Sequence, residues 1–312
     1  MYTRYTGFHE SNNKTMNRTL ISSFWGYSLL TASVFLSSCQ QPSEALNDRK
    51  KRENETEIDQ YIKQNNLVAT KTEEGLYFIQ TKIVPTGQAP LTGDEVKYHY
   101  VTRRLDGVIV DSTNIAGNIP ATVILNGLST KNITLGRYAG LLRLKQGEEG
   151  SVLAPSYSDG GRVGTLLLPQ YASVRYDLRI VSVRTENQQI EEYIKANNIA
   201  VTTKTDDGIR VSVTQARPDS VAITTGKTVT LKFTGKLLNG TKFDSNVTGT
   251  FQVRIGEKQV VGGKENGLTK LRAGEKAILI FPSALGYGPT GKTTVIQPYS
   301  PLLYEIEVTK VQ

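Results

Sequence analysis

Asp111 and Asp244 stand 133 positions apart in matching contexts, "DGVIVDST" over residues 106–113 and "NGTKFDSN" over residues 239–246, with Gly107 answering Gly240. Few other residues carry the chemistry of a catalytic or metal-binding group. The chain contains one cysteine, Cys39, and two histidines, His9 and His99. A hydrolytic triad needs a histidine beside its nucleophile, and a zinc site is usually built from cysteine and histidine. His99 lies between Tyr98 and Tyr100 in an alternating apolar and polar run, on the polar face, and reads as an exposed strand residue. Hydrolase and zinc-enzyme chemistry are therefore disfavoured, and neither a metal nor a cofactor is expected.

A second motif, "GYGPTGKT" over residues 286–293, satisfies the phosphate-loop pattern and comes after a strand-like run at residues 277–281. That loop must open a helix whose N-terminus faces the anion. Here it leads into "TVIQPYSPLL", in which Pro298 and Pro301 forbid the helix, so the match is read as coincidental.

The elements that must position these residues come twice. "IDQYIKQNN" from Ile58 returns as "IEEYIKANN" from Ile190, and "KTEEG" ending at Gly75 returns as "KTDDG" ending at Gly208. In each opening segment Ile, Tyr and Ile fall at i, i+3 and i+4, the stripe of a short helix, and the paired asparagines suit its C-terminal cap. The rest of each repeat is strand-like: "VKYHY" (96–100), "VRYDLRI" (174–180), "VTLKF" (229–233) and "YEIEV" (304–308) alternate at period two. A chain of 312 residues with 38% hydrophobic and 21% charged residues is long enough for two such domains, each an α+β unit of mostly antiparallel strands. The period is far too long for a solenoid, so the repeat is a duplicated domain.

From residue 226 onward the second copy resembles the FKBP-type peptidyl-prolyl isomerases. "VTLKFTGKLLNGTKFDS", "FQVRIGEKQVVGG", "GLTKLRAGEKAILIFPSALGYG" and "VIQPYSPLLYEIEV" match that family's order and spacing. The resemblance implies two FKBP-like domains, each a twisted antiparallel sheet wrapped on a short helix near residues 264–271 of the second copy, with an apolar proline pocket between them. It places pocket walls at Phe233, Phe243, Phe251, Val260, Val261, Ile296 and Tyr304, and a polar pair at Asp244 and Tyr287. Tyr287 would donate its hydroxyl to a substrate carbonyl, while Asp244, beside Phe243, would orient the twisted amide. Such a pocket needs no nucleophile: the planar amide is more polar than the twisted one, and a dry wall disfavours it.

Two departures bear on that site. Lys264 stands where the family keeps a Trp floor, its stem able to lie along apolar surface but offering no flat ring. Phe233 stands where the family often has Tyr, so Asp244 loses a hydroxyl partner. Reduced activity or a shifted substrate choice is expected. The first copy departs further. Tyr100, Asp111 and Tyr176 persist, with Ile133, Thr134 and Leu168 at wall positions, but Val110 replaces Phe243 and Gly160 falls at the Tyr287 position. Six extra residues precede "GLLRLKQG". The resemblance thus implies a degenerate domain at residues 54–184 and an isomerase domain at 185–312, assisting the folding of proline-containing polypeptide clients. A non-enzymatic module gripping extended proline-containing segments remains the other reading.

The N-terminus has the layout of a secretory signal: basic residues to Arg18, then a modest apolar stretch at residues 20–36 that is short for a permanent span. It ends in "LSSC", which resembles the lipobox of bacterial lipoproteins. The expectation is a signal peptide at residues 1–38, starting at Met1 or Met16, lipid on Cys39, a polar tether at 39–53, and a place in the cell envelope facing the periplasm or cell surface. An uncleaved anchor is the alternative. The net charge is +8, of which Arg4, Lys14 and Arg18 against Glu10 lie in the leader, leaving +6. Those charges are scattered among acids, so no nucleic-acid partner is expected.

Overall fold

The computed structural model describes residues 44–126, 133–158 and 164–312. The proposed signal peptide, its cleavage site and Cys39 lie outside them, as does Gly160. No described helix is long and apolar enough to cross a membrane.

The first repeat runs α1 (Leu46–Gln64), β1 (Thr70–Lys71), β2 (Tyr77–Lys82), β3 (Glu95–Arg104), β4 (Ile109–Ser112), β5 (Ala121–Ile124), α2 (Leu135–Leu141), β6 (Glu149–Ala154) and β7 (Val174–Arg184). The second runs α3 (Glu186–Ala196), β8 (Thr203–Lys204), β9 (Arg210–Gln215), β10 (Thr228–Leu237), β11 (Lys242–Arg254), α4 (Gly262–Leu268), β12 (Lys276–Phe281) and β13 (Leu302–Val311). Strand order is β1-β2-β6-β7-β3-β4 in one sheet, with β5 also on β3, and β8-β9-β12-β13-β10-β11 in the other. All described pairings of named strands are antiparallel. The two sheets share one topology, and the long β11 of the second is divided into β4 and β5 in the first.

Each sheet is covered on both faces, which period-two strands achieve by sending alternate side chains to opposite sides. In β12, Ala277, Leu279 and Phe281 join the main core with Leu268 and Leu271, at and just beyond the end of α4. Ile280, with Ile278 beside it, joins Ile190 and Ile194 of α3 on the other face. The first domain repeats this, with Leu141 and Ala139 of α2 on one face and Ile58 of α1 against Tyr77, Ile79 and Leu153 on the other. The opening helices end as their asparagines suggest. Asn65 and Asn197 are C-caps, and Asn66 and Asn198 adopt left-handed φ of 50° and 52°.

Three expectations need correction. The first helix begins at Leu46, inside the stretch read as a polar tether, because a charged sequence such as "LNDRKKREN" is also a good helix former. The short helix of the second domain spans Gly262–Leu268 rather than residues 264–271. His99 is not exposed: it is 2% accessible, with Nδ1 at 2.9 Å from Thr113 Oγ1 and Nε2 at 3.0 Å from Asn118 Oδ1. Both partners lie between β4 and β5, in a loop with no counterpart in the unbroken β11. The phosphate-loop pattern opens no helix of the kind an anion needs, only a single turn at Gly288–Thr290.

Candidate functional site

The second domain brings its expected wall residues together. Phe233 and Tyr304 lie on the paired strands β10 and β13, Phe243 and Phe251 come from β11, and Ile296 from the segment before β13. Phe233, Ile296 and Tyr304 are buried in the core, with Phe243, Phe251, Val260, Val261 and Tyr287 half-buried against it. The rings interlock. Phe251 stands edge-on to Phe233 at 5.1 Å between centroids, Phe243 edge-on to Tyr304 at 5.6 Å, and Phe281 stacks on Tyr304 at 5.9 Å. Edge-to-face arrangements are among those the ring quadrupoles favour.

Two sets of glycines make this assembly possible. A Cβ on Gly263 would lie 2.3 Å from Phe281 and one on Gly267 would lie 2.5 Å from Leu279, so α4 seats directly on the sheet because it lacks side chains there. Gly235 does the same for a ring: its Cβ would meet Phe243 at 2.7 Å and Tyr304 at 3.0 Å.

The close seating of α4 drives Lys264 into the pocket. The residue is 2% accessible, with its Nζ 3.2 Å from the centroid of Phe233, 4.6 Å from Phe251 and 4.9 Å from Tyr304. The sequence suggests only an apolar stem lying on the floor; here the ammonium head itself lies among the rings. Burial pushes Lys264 down from the usual lysine value to about 8, with the charge of Asp244 acting the other way. Burial likewise pushes the Tyr304 hydroxyl up, reinforced by Tyr287 and Asp244. Asp244 itself is exposed on β11. The Tyr287 hydroxyl accepts from Lys292 Nζ at 3.3 Å and lies close enough to the Tyr304 hydroxyl to interact with it.

The loop bearing Tyr287 is fixed from behind. Glu186, first residue of α3, accepts from the Ser283 backbone N–H at 2.6 Å and from its hydroxyl at 2.8 Å. Desolvation raises the Glu186 pKa, its two hydrogen bonds from Ser283 oppose this, and the charge of Asp94 adds to it. Thr185, which caps α3 in a capping box with Gln188, comes directly after β7, so the first domain runs into this clamp without a linker. Nothing in the sequence singles out Glu186 except its counterpart: Asn54 on α1 accepts from the Ser156 N–H at 3.0 Å and its hydroxyl at 2.6 Å.

The FKBP-type peptidyl-prolyl cis-trans isomerase profile matches residues 220–309. Over 89 residues, 28% of this chain, the sequence is 46% identical to FK506-binding protein 1 of Saccharomyces cerevisiae and covers 78% of that protein. The chain belongs to the FKBP-type peptidyl-prolyl isomerase family. A longer likeness reaches both domains: peptidyl-prolyl cis-trans isomerase FKBP9 of Mus musculus is 27% identical over 238 residues, 75% of this chain. The chain spans about two fifths of that relative, 38% of its length. A crystal structure of the three FKBP domains of wheat FKBP73 aligns with 78% of this chain and 99% of its own at 22% identity and a TM-score of 0.39.

The first FKBP-like domain keeps the frame and rebuilds the pocket. Tyr100 donates its hydroxyl to Asp111 Oδ2 at 2.7 Å, the bond that Phe233 denies Asp244. Val110 is a half-buried residue of β4. Thr102 occupies the strand position of Gly235, the glycine whose missing Cβ lets Phe243 lie close in the second domain. A further loss goes unnoticed in the sequence: Ala121 pairs with Tyr98 on β3 where Phe251 pairs with Leu231 on β10, so a second ring is gone. Ile133 is buried in the core, with Leu168 packed against it, while Thr134 caps α2, accepting from the Arg137 N–H. Arg137 takes the place of Lys264, its guanidinium carbon 4.4 Å from the Tyr100 centroid.

Proposed function

We propose that this protein is a peptidyl-prolyl cis-trans isomerase acting on proline-containing polypeptides, with its activity in residues 185–312, anchored in the cell envelope by lipid on Cys39. The observation that carries the reading is the four-ring assembly of Phe233, Phe243, Phe251 and Tyr304 in the second domain, of which the first domain lacks two members. Rotation about an Xaa-Pro bond is slow because it breaks amide resonance across a barrier of about 18–20 kcal/mol. A substrate whose proline ring lies among these rings gives up water around its imide. The polar planar form loses more by this than the twisted form does, and every ~1.4 kcal/mol of that difference is a factor of ten in rate. Tyr287 donates its hydroxyl to the carbonyl of the residue before or after the proline, holding the segment while the bond turns.

The test is two-dimensional exchange NMR of a short proline peptide with the full chain and four variants. Tyr287→Phe and Phe251→Ala should slow exchange at least tenfold, while Tyr100→Phe and Asp111→Asn leave it within twofold. The reverse pattern overturns the assignment to the second domain, and no exchange with the wild type leaves the pocket as a binding site only. The anchor is tested separately: fatty-acid labelling should tag the wild type and miss Cys39→Ser. Since Trp25 is the only tryptophan, processed protein should show tyrosine-like emission, and a tryptophan band would mean that the leader is retained.

A further inference from the structure

We infer that the pocket of the second domain, besides taking a proline ring, takes an acidic side chain, with its carboxylate meeting Lys264, in preference to a neutral side chain of the same shape. The inference rests on reading this pocket as a peptide-binding site, and it names the occupant that the site prefers.

Lysine is among the residues least often fully buried without a partner. Lys264 is 2% accessible, with its Nζ not wholly shut off from solvent, and among the described residues no carboxylate lies within ion-pair distance of it and no hydrogen bond to an acceptor of the protein engages it. Its environment is three ring faces, from Phe233, Phe251 and Tyr304. Rings attract a cation through their quadrupoles but are poor acceptors for three N–H bonds. The groups facing it from the surrounding elements are few. Asp244 on β11 contributes attraction at a distance, Tyr304 on β13 and Tyr287 on the loop bring phenol rings, and Lys292 adds a second cation 4.9 Å from the Tyr287 ring.

An independent observation points the same way. The first domain also aims a cation into its pocket at the equivalent place, and the Nε of Arg137 is buried there without a hydrogen-bond partner. Two domains whose ring sets differ thus both place a cation over the aromatic residue of the same strand position, Tyr100 in one and Phe233 in the other.

A bare pyrrolidine ring brings only C–H groups to such an ammonium and dries it further. A carboxylate brings an acceptor and the opposite charge, and the cost of burying the lysine is already met by the fold, so the ligand need lose only its own water. Lys264 also differs from surface lysines in when it loses its charge, at about 8 against the usual 10.5. A preference that depends on this ammonium therefore fades between those two values, while surface lysines still hold their charge.

The experiment is fluorescence anisotropy with the full chain and dye-labelled peptides, acetylated and amidated at their ends, identical except for one central residue: Glu, Gln, Pro or Leu. At pH 7 the Glu peptide should bind about tenfold more tightly than Gln, the scale of a close charge pair. The ratio should fall below about twofold by about pH 9.5. Lys264→Met, which keeps the length and fills the cage, should abolish the ratio and favour Pro. Lys264→Gln serves if the Met variant melts early. Equal binding of Glu and Gln at pH 7, a ratio that survives either substitution, or a ratio lost only in Arg137→Met overturns the inference. Exchange NMR on a proline peptide separates the two readings. An active isomerase without acid preference sinks this inference alone, and acid preference without exchange sinks the isomerase reading alone.

Discussion

The two pockets are built on one frame and filled in opposite ways. In the first, Tyr100, Asp111 and Arg137 form a polar set, the hydroxyl bonded to the carboxylate and the guanidinium over the ring. In the second, the hydroxyl is gone and four rings stand edge-on or tilted to one another, three of them around an ammonium. The choice is made by a pair of positions at a time. Gly235 leaves room for Phe243, and the first domain has Thr102 and Val110 at those two positions. A single substitution in either pocket is therefore mismatched, and this gives the comparison its sharpest tests.

The largest effect is expected from Gly235→Thr, which writes the first domain's residue into the second. Its Cβ would lie 2.7 Å from Phe243 and 3.0 Å from Tyr304, and overpacking of this kind costs about 1–3 kcal/mol. The Phe243 ring must leave the wall, so exchange on a proline peptide should fall by two decades or more, with a lower Tm by calorimetry. The double variant Gly235→Thr/Phe243→Val should recover the Tm and not the rate. Recovery of both would mean that the ring is core packing and nothing more.

Phe251→Ala comes next, again a first-domain residue placed in the second. It removes the edge-on partner of Phe233 at 5.1 Å and opens one side of the lysine cage. Phe→Ala in a core costs about 3–5 kcal/mol; at this half-buried position the loss should be nearer the lower end. A tenfold to hundredfold fall in exchange is expected, measured beside urea unfolding. An unchanged rate would show that the Ala121 difference is irrelevant to function.

Whether a feature of these pockets is legible in the sequence depends on what each residue touches. Strand alternation, the duplicated opening helices and the rings at family spacing are readable because they depend on local period and residue type. Ala121 is not, because the loop between β4 and β5 shifts the register that would pair it with Phe251. His99 looks exposed for the same reason, since its partners Thr113 and Asn118 flank or lie in that loop. The length of α1 is hidden by its composition: of its 19 residues only Asn54 and Ile58 are buried, so no apolar stripe marks its first turns. The depth of Lys264 depends on how closely α4 seats on Phe281 and Leu279, a tertiary quantity.

A smaller effect distinguishes the two loop clamps. Asn54 and Glu186 hold equivalent serines, but only Glu186 titrates. Its pKa in the folded protein is raised above the usual 4.5, chiefly by desolvation, so the folded state binds more protons than the unfolded one just above that value. Stability from this group is therefore present at low pH and is lost as pH rises through the raised folded value. Glu186→Gln, neutral like Asn54 and able to take both bonds on its one amide oxygen as Asn54 does, should melt slightly above the wild type at about pH 7 and level with it below about pH 4. A wild type that gains on the variant as pH rises would reverse the assignment.

The smallest effect is expected from Phe233→Tyr, which returns to the second domain the hydroxyl of Tyr100. Phe233 occupies the same position on its strand as Tyr100, whose hydroxyl reaches Asp111, so the new hydroxyl should reach Asp244. A hydrogen bond of this kind contributes about 0.5–1.5 kcal/mol, at the low end here because Asp244 is exposed. Only the part that differs between planar and twisted substrate can alter the rate, so exchange should change by less than about threefold. The bond would also draw Asp244 charge toward the phenol and away from Lys264, whose titration should move further below its present value of about 8. That shift is readable by NMR of lysine labelled at the side chain. If the hydroxyl instead raised the exchange rate about tenfold, the polar pair and not the rings would limit the second domain, and the first domain, which owns that pair already, would have to be credited with activity of its own.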